Sequence, residues 1–431
     1  METLKRMRTV WIHLALVFFG VLLVVGIGEI WVRLILPEAS GQTGEMAMET
    51  AFRSSSLLGW EHVPGAEKVE AKEEYQVTIR FNTKGLRDRE YSYEKTPGTF
   101  RILVLGDSFT EGMGVRREEI YTEQLERRLN EMSQGMRYEV INAGTRGYGL
   151  DQYLIYLRSY GLYYQPDIVL VGLYIGNDIL SAMRQVEYNH PKPYFALQGE
   201  RLVPQQFPVP DFSTRAIEFA PAFKERTPRR TRFLDRTTRP VRSVLGRYSK
   251  LYAFVTDKLK RIPSVAYALE QVGLTSDIKG LAYVRELKDG LFGVEYTPRY
   301  ERGWTLGKRI IEEMNQICRD ARAKLILFLI PMKEQVTEEG RLSVLEVAAV
   351  MGVERNQLDF EKPNRLLVAL GGEKNIDVID PLPAFWERAQ QGRSLYYRLD
   401  KHLTAEGHRK AAELIYEHLV NHHLVPIHLE P

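Results

Sequence analysis

Hydrophobic and polar residues follow three rhythms along this chain, and each predicts a different element. The first is unbroken: Val10 to Gly28 is apolar apart from His13. Nineteen such residues suffice for a helix to cross the hydrocarbon layer of a bilayer. The second rhythm is a short apolar run that ends in a polar, glycine-bearing turn. Ile102-Leu103-Val104-Leu105 leads to Gly106-Asp107-Ser108-Phe109-Thr110, Val140-Ile141 to Asn142-Ala143-Gly144, and Ile168-Val169-Leu170-Val171 to Gly176-Asn177-Asp178. Two later strands are expected at 325–330, stopped by Pro331, and at 376–380. Helix-spaced segments separate them at 121–132 and 151–160, and a closing helix is expected over about 404–419. Strands buried on both faces and alternating with helices predict a parallel sheet covered on both sides. The third rhythm is strict alternation over Tyr75–Phe81, between Pro64-Gly65 and Asn82-Thr83-Lys84-Gly85. It predicts a small β-hairpin or meander packed on the core. That segment reads either as a wall of a substrate cleft or as a cover over hydrophobic surface.

These rhythms divide the 431 residues into an N-terminal stub and span (1–37), a linker rich in Gly, Ser, Thr and Glu (38–56), a small β segment (57–100) and an α/β domain (101–425). The domain is interrupted over about 185–300 by a segment with Pro204, Pro208, Pro210, Pro221 and Pro228, followed by a basic, helical stretch. Between Arg215 and Arg261 fourteen Lys/Arg stand against four Asp/Glu. The insertion is expected over the strand ends, facing anionic lipid, holding an anionic polysaccharide, or presenting a solvated face.

The overall charge of +3 changes little, but its placement sets an orientation. Lys5, Arg6 and Arg8 precede the span and Glu29, Arg33, Glu38, Glu45 and Glu49 follow it. The positive-inside rule leaves the N-terminus cytoplasmic and everything after Pro37 outside, as a single-pass protein of the cytoplasmic (inner) membrane. A cleaved signal peptide fits less well, because the apolar stretch is long and Gly26-Ile27-Gly28 before Glu29 is a poor cleavage site. Nucleic acid is not an expected partner in that compartment. The lone Cys318 excludes an intramolecular disulfide and a cysteine zinc site, and reads as a small buried apolar residue.

The chemistry starts at Ser108. A serine at the carboxyl end of a buried parallel strand sits where open α/β sheets place ligands. Its hydroxyl needs a base from elsewhere, and Arg398-Leu399-Asp400-Lys401-His402-Leu403-Thr404 offers one. These blocks resemble the SGNH (GDSL-type) esterases and acyltransferases. The resemblance spans roughly Arg101 to Leu419 and implies a three-layer α/β/α fold with a parallel doubly wound (flavodoxin-like) sheet. Carried over residue by residue, it implies Ser108 as nucleophile, His402 as base and Asp400 as orienting carboxylate. Gly144 and Asn177 then join the Ser108 N–H in an oxyanion pocket. The family usually has Asp-x-x-His; Asp400 and His402 have one residue between them, which is similar to polysaccharide O-acetyltransferase relatives. Glu111 and Asp178 remain alternatives to Asp400, and Asp107 reads as a structural residue of the loop.

Taken singly, each residue also has a plain reading: Ser108 as a helix N-cap, Asn177 as a turn residue, His402 as a surface histidine. Their joint order favours the chemistry. Six of nine histidines lie beyond residue 400, and His418 and His422 have zinc-compatible spacing. They lack a third ligand and a His-Glu-x-x-His motif, so no metal or other cofactor is expected. His408 reads as structural. No phosphate loop or serine nucleophile elbow is present. The expected function is a membrane-anchored extracytoplasmic serine esterase or O-acyltransferase acting through an acyl-serine. Its substrate is an acetyl ester, with a polysaccharide as candidate. A lipid or thioester hydrolase with the same triad, and an inactive glycan-binding module, stay open. Hydrolysis and transfer share the same acyl-serine and differ in the second acceptor, water or a sugar hydroxyl.

Overall fold

The computed structural model describes residues 2–35, 51–133, 135–188, 190–211, 244, 248–260, 262–271 and 279–426. They form two compact units, one made of Met1–Thr43, Lys224–Arg285 and Glu346–Val353, the other of Gly44–Phe223, Glu286–Leu345 and Glu354–Pro431. The expected linker lies outside the described residues over 38–50, as does most of the basic stretch between 212 and 247.

In the first unit a helix of 34 residues, Glu2–Ile35, carries the expected span. Several of its side chains lie outside the described set, and among the described residues no helix is long and apolar enough to cross a membrane. Near its end the Glu29 carboxylate accepts hydrogen bonds from Ser249 Oγ at 2.7 Å and from the N–H groups of Lys250 and Leu251 at 2.9 and 3.0 Å. It thereby caps helix Lys250–Lys260, satisfying main-chain donors that have no partner within their own helix.

The second unit is built on five parallel strands in the order Asp377–Ile379, Lys324–Ile330, Ile168–Tyr174, Thr99–Gly106, Arg137–Asn142. Numbered along the chain and read from the Arg137–Asn142 edge this is 2-1-3-4-5, the doubly wound order of the flavodoxin-like sheets. The three central strands are buried along nearly their whole length, as continuous apolar runs require of a sheet covered on both faces. Helices Tyr121–Glu131, Leu150–Ser159, Pro298–Asp320 and Ala405–Asn421 accompany them. Cys318 lies fully buried on the third of these, and burial pushes its thiol up to about 12. The chain leaves the first strand for one edge, then crosses to the other side for Ile168–Tyr174. The topological switch point therefore lies beyond the ends of Thr99–Gly106 and Ile168–Tyr174, where Ser108 and Asn177 stand.

Two antiparallel hairpins precede the sheet: Phe52–Ser55 with Gly59–His62, and Glu67–Ala71 with Gln76–Arg80. Alternation over Gln76–Arg80 puts Val77 and Ile79 inside. The expected insertion opens on two antiparallel pairs, Val186–Glu187 with His190–Pro191 and Tyr194–Gln198 with Arg201–Gln205. Its residue pattern was dominated by prolines, which masked a β pairing that tolerates Pro204.

Candidate active site

Ser108 is positioned by a turn that only a small residue permits. A Cβ on Gly106 would overlap the Thr110 side chain, so the strand can bend directly into helix Ser108–Glu111. Asp107 caps that helix, its Oδ1 accepting the Phe109 N–H at 2.9 Å. Burial raises the Asp107 carboxyl above the usual carboxylate range. Ser108 itself is 9% exposed and opens the helix, where its N–H has no intrahelical partner.

The histidine arrives from 294 residues away. His402 Nε2 lies 2.8 Å from Ser108 Oγ, and its ring packs 4.7 Å from that of Phe109. On the other side of the imidazole, Nδ1 meets Asp400 Oδ1. A nitrogen facing a carboxylate carries the proton, which leaves Nε2 to accept the serine hydroxyl. The two residues sit on a tight turn closed by a bridge between Tyr396 and Leu403 and by the Tyr397 N–H donating to His402 O at 2.8 Å. Lys401, the single residue between them, has a left-handed φ of 67°. Non-glycine residues in that region store on the order of 1–3 kcal/mol of strain and are found at functional sites. Burial would raise the Asp400 carboxyl, but the bond and charge of His402, and then Lys72, hold it well below the usual carboxylate range.

Asn177 follows strand Ile168–Tyr174 and its amide is lightly held. Nδ2 donates one long bond to Asp107 Oδ2, 3.3 Å, and Oδ1 has no hydrogen-bond partner among the described residues. Gly144 lies against the serine helix so closely that a Cβ would run into the main chain at Thr110 and Glu111. Its N–H is donated to Asn142 Oδ1 at 2.9 Å, while Asn142 Nδ2 donates to Thr110 O at 2.8 Å. Asn142 thus brackets the Gly144 loop to the serine helix. The two other carboxylates face elsewhere. Glu111 accepts from Arg146 N and Nη2, each at 2.9 Å, and Asp178 from the Tyr174 N–H and the Tyr153 hydroxyl at 2.9 and 3.1 Å.

Sequence reasoning missed three residues that touch the histidine turn. Lys72 Nζ stands 2.5 Å from Asp400 Oδ2 and the Tyr75 hydroxyl 3.1 Å from the same oxygen. Glu74 accepts the N–H groups of Arg398, Leu399 and Asp400 at 2.7, 2.7 and 2.9 Å. All three lie in or beside the turn of the second hairpin, more than 320 residues away in sequence, and no local signal marks them. The hairpin meets this loop with charged groups, a contact its alternation did not announce. His408 is buried, and burial pushes it down to about 3, leaving it neutral; its Nδ1 lies 3.3 Å from the Tyr121 N–H. Among the described residues no cluster of three metal-ligating side chains occurs.

Solved structures with a similar outline include an acetyl xylan esterase (13% identity over 74% of this chain and 100% of that one, TM-score 0.33). Others are a psychrotrophic esterase from Pseudoalteromonas sp. (11%, 75% and 99%, 0.34) and an acetyl-xylooligosaccharide esterase from Geobacillus (10%, 77% and 97%, 0.36). No curated protein matches the chain. The family model of the GDSL-like lipases and acylhydrolases matches residues 104–410, which run from the strand before Ser108 past His402. The chain therefore belongs to the GDSL-like lipase/acylhydrolase family and is a hydrolase acting on ester bonds.

Proposed function

We propose that this hydrolase is a membrane-anchored, extracytoplasmic serine esterase or O-acyltransferase that handles acetyl esters of a carbohydrate through an acyl-Ser108 intermediate. The observation that carries it is the 2.8 Å approach of Ser108 Oγ to His402 Nε2 with Asp400 on the opposite ring nitrogen. His402 takes the hydroxyl proton as Oγ bonds to the acyl carbon. Asp400 stabilises the imidazolium without itself taking the proton. As the tetrahedral oxyanion collapses, the ester C–O bond breaks and the imidazolium returns its proton to the leaving alkoxide. Water or a sugar hydroxyl then repeats the sequence on the acyl-serine. The developing oxyanion is held by the Ser108 N–H, the Asn177 amide and the Gly144 N–H, the last exchanging its bond to Asn142 for the stronger charge.

The carbohydrate half of the reading rests on the Asp400-Lys401-His402 spacing, similar to that of polysaccharide O-acetyltransferase relatives. The anchor rests on the apolar run and on what it would expose to water. Trp11, Leu16, Phe19, Leu23, Val24 and Leu34 are each at least 65% exposed on helix Glu2–Ile35. A contiguous apolar surface of that kind marks a membrane or protein contact. At ~1.5 Å per residue the 34 residues reach about 50 Å, beyond the ~30 Å hydrocarbon core. The test is acetate release from O-acetylated polysaccharides by membranes carrying the full-length chain. Release by wild type and not by Ser108→Ala supports the reading. Equal release by both, or activity confined to long-chain esters, overturns it.

A further inference from the structure

The polar contacts around the histidine turn close on themselves. From Ser108 they run through His402 to Asp400, and from Asp400 Oδ2 to the Tyr75 hydroxyl. That hydroxyl also lies 3.2 Å from Glu70 Oε1, and Glu70 Oε2 accepts from Arg146 Nη2 at 3.0 Å. Arg146 in turn donates to Glu111, which ends the same four-residue helix that Ser108 begins. A second hairpin contact grips the main chain, where Glu74 collects three successive N–H groups ending at Asp400. Within the hairpin, the Lys72 N–H donates to Tyr75 O at 2.8 Å, which closes the turn that carries both side chains. The Tyr75 ring also packs 5.0 Å from that of Tyr397 on the histidine turn.

We propose that Lys72 and Tyr75 are positioning residues that fix Asp400 and shield part of its charge from the His402 imidazole, which keeps the ring set to accept the Ser108 proton. The proposal rests on Ser108, His402 and Asp400 being the machinery given above. Its physics follows from where the charge sits. Asp400 Oδ1 faces the imidazole and favours the imidazolium. The ammonium on Oδ2 draws that negative potential away, and the Tyr75 hydroxyl competes for the same electron density. Tyr75 is held in its protonated form by burial and by Glu70 and Asp400, so it can only donate or share its proton. Other groups face the pair from the remaining elements. Asp107, from the serine turn, and Glu74 add negative potential, whereas buried His408 on the closing helix is neutral. Among the described residues, Lys72 is the cation besides His402 that bonds Asp400.

The experiment compares full-length wild type, Lys72→Gln, Lys72→Arg and Tyr75→Phe, using p-nitrophenyl acetate hydrolysis as a function of pH. Lys72→Gln should move the acidic limb of kcat/KM upward by roughly 0.5–1 unit, less than a charge directly on the titrating group would produce. It should lower kcat roughly threefold to tenfold with KM unchanged, the range for one partly screened charged bond. Tyr75→Phe should move the limb the same way by less, and Lys72→Arg should restore most of the wild-type profile. An acidic limb that superimposes on wild type in Lys72→Gln, or an equal displacement in Lys72→Arg, overturns the proposal. If Lys72→Gln shows no cooperative melting transition, Tyr75→Phe decides on the same criterion. Ser108→Ala, run alongside, separates the two readings. Its inactivity with unmoved Lys72 and Tyr75 profiles sinks only this proposal, whereas its retained activity sinks the triad and this proposal together.

Discussion

The two halves of the site are held by different physics. Ser108, Gly144 and Asn177 ride on the ends of strands whose side chains are almost entirely buried, so their positions are set by the sheet register and the hydrophobic core. His402 and Asp400 ride on a short turn anchored by charge: Lys72, Glu74 and Tyr75 on one side, and a Lys401–Glu334 pair on the other. The first half tolerates little change in volume. The second shares that core through Tyr396 and Leu403, but the groups that grip Asp400 itself are charged or polar, so it also responds to charge. Both must be correct for one oxygen and one nitrogen to meet at 2.8 Å, so the site combines a rigid nucleophile with an adjustable base.

This contrast can be broken most strongly at Asp400. Asp400→Asn keeps the shape of the turn but presents an amide to His402 Nδ1, favouring the wrong tautomer. A loss of roughly 10⁴ in kcat with intact folding is expected, measured by steady-state hydrolysis and circular dichroism. On the sheet side, Asn177→Ala should lower kcat by roughly 10²–10³ while leaving KM near wild type, because its amide acts on the oxyanion and not on the bound ester. An equal rise in KM would assign it to substrate binding instead.

The next pair sharpens the difference between core and charge. Phe328 is fully buried on the inner strand Lys324–Ile330, and Phe328→Ala should cost about 3–5 kcal/mol of stability by denaturant unfolding. Glu74→Gln should cost under about 1 kcal/mol, since the carboxylate is partly exposed and screened, yet lower kcat through a looser turn. If Glu74→Gln unfolds the protein as readily as Phe328→Ala, the two halves are not mechanically distinct.

A further expected effect concerns pH. Buried His408 is pushed down to about 3 from 6.5, so the unfolded chain binds a proton there that the folded chain refuses. Stability contributed by its neutral burial is complete above pH 6.5 and falls as pH drops toward 3, by up to about 1.4 kcal/mol per pH unit. His408→Gln should remove that slope between pH 4 and 6, as measured by the pH dependence of the unfolding midpoint. A slope equal to wild type would show that His408 is protonated in the fold.

The sheet was legible because burial on both faces writes itself into sequence as apolar runs, as in Ile102–Leu105 and Leu325–Ile330. The four polar blocks were legible because each trails such a strand or precedes the closing helix. What escaped was non-local polarity. Glu74 serves N–H groups at 398, 399 and 400, and Lys72 looks like any solvated lysine until the turn folds onto it. Asn142 escaped too, since a side chain that bonds Gly144 N and Thr110 O reads in sequence only as the last residue of a strand. Tight turns also carry no periodicity: the left-handed φ of Lys401, with no glycine to announce it, is what accommodates the short Asp400–His402 spacing.

The most direct measurement is the site of covalent labelling by a serine-reactive fluorophosphonate, read by peptide mass spectrometry on the full-length chain. An imidazole in contact with the serine makes that oxygen the nucleophile. The adduct should therefore form on Ser108 in wild type and vanish in both Ser108→Ala and His402→Ala. An adduct on another residue, or undiminished Ser108 labelling in His402→Ala, would contradict the account.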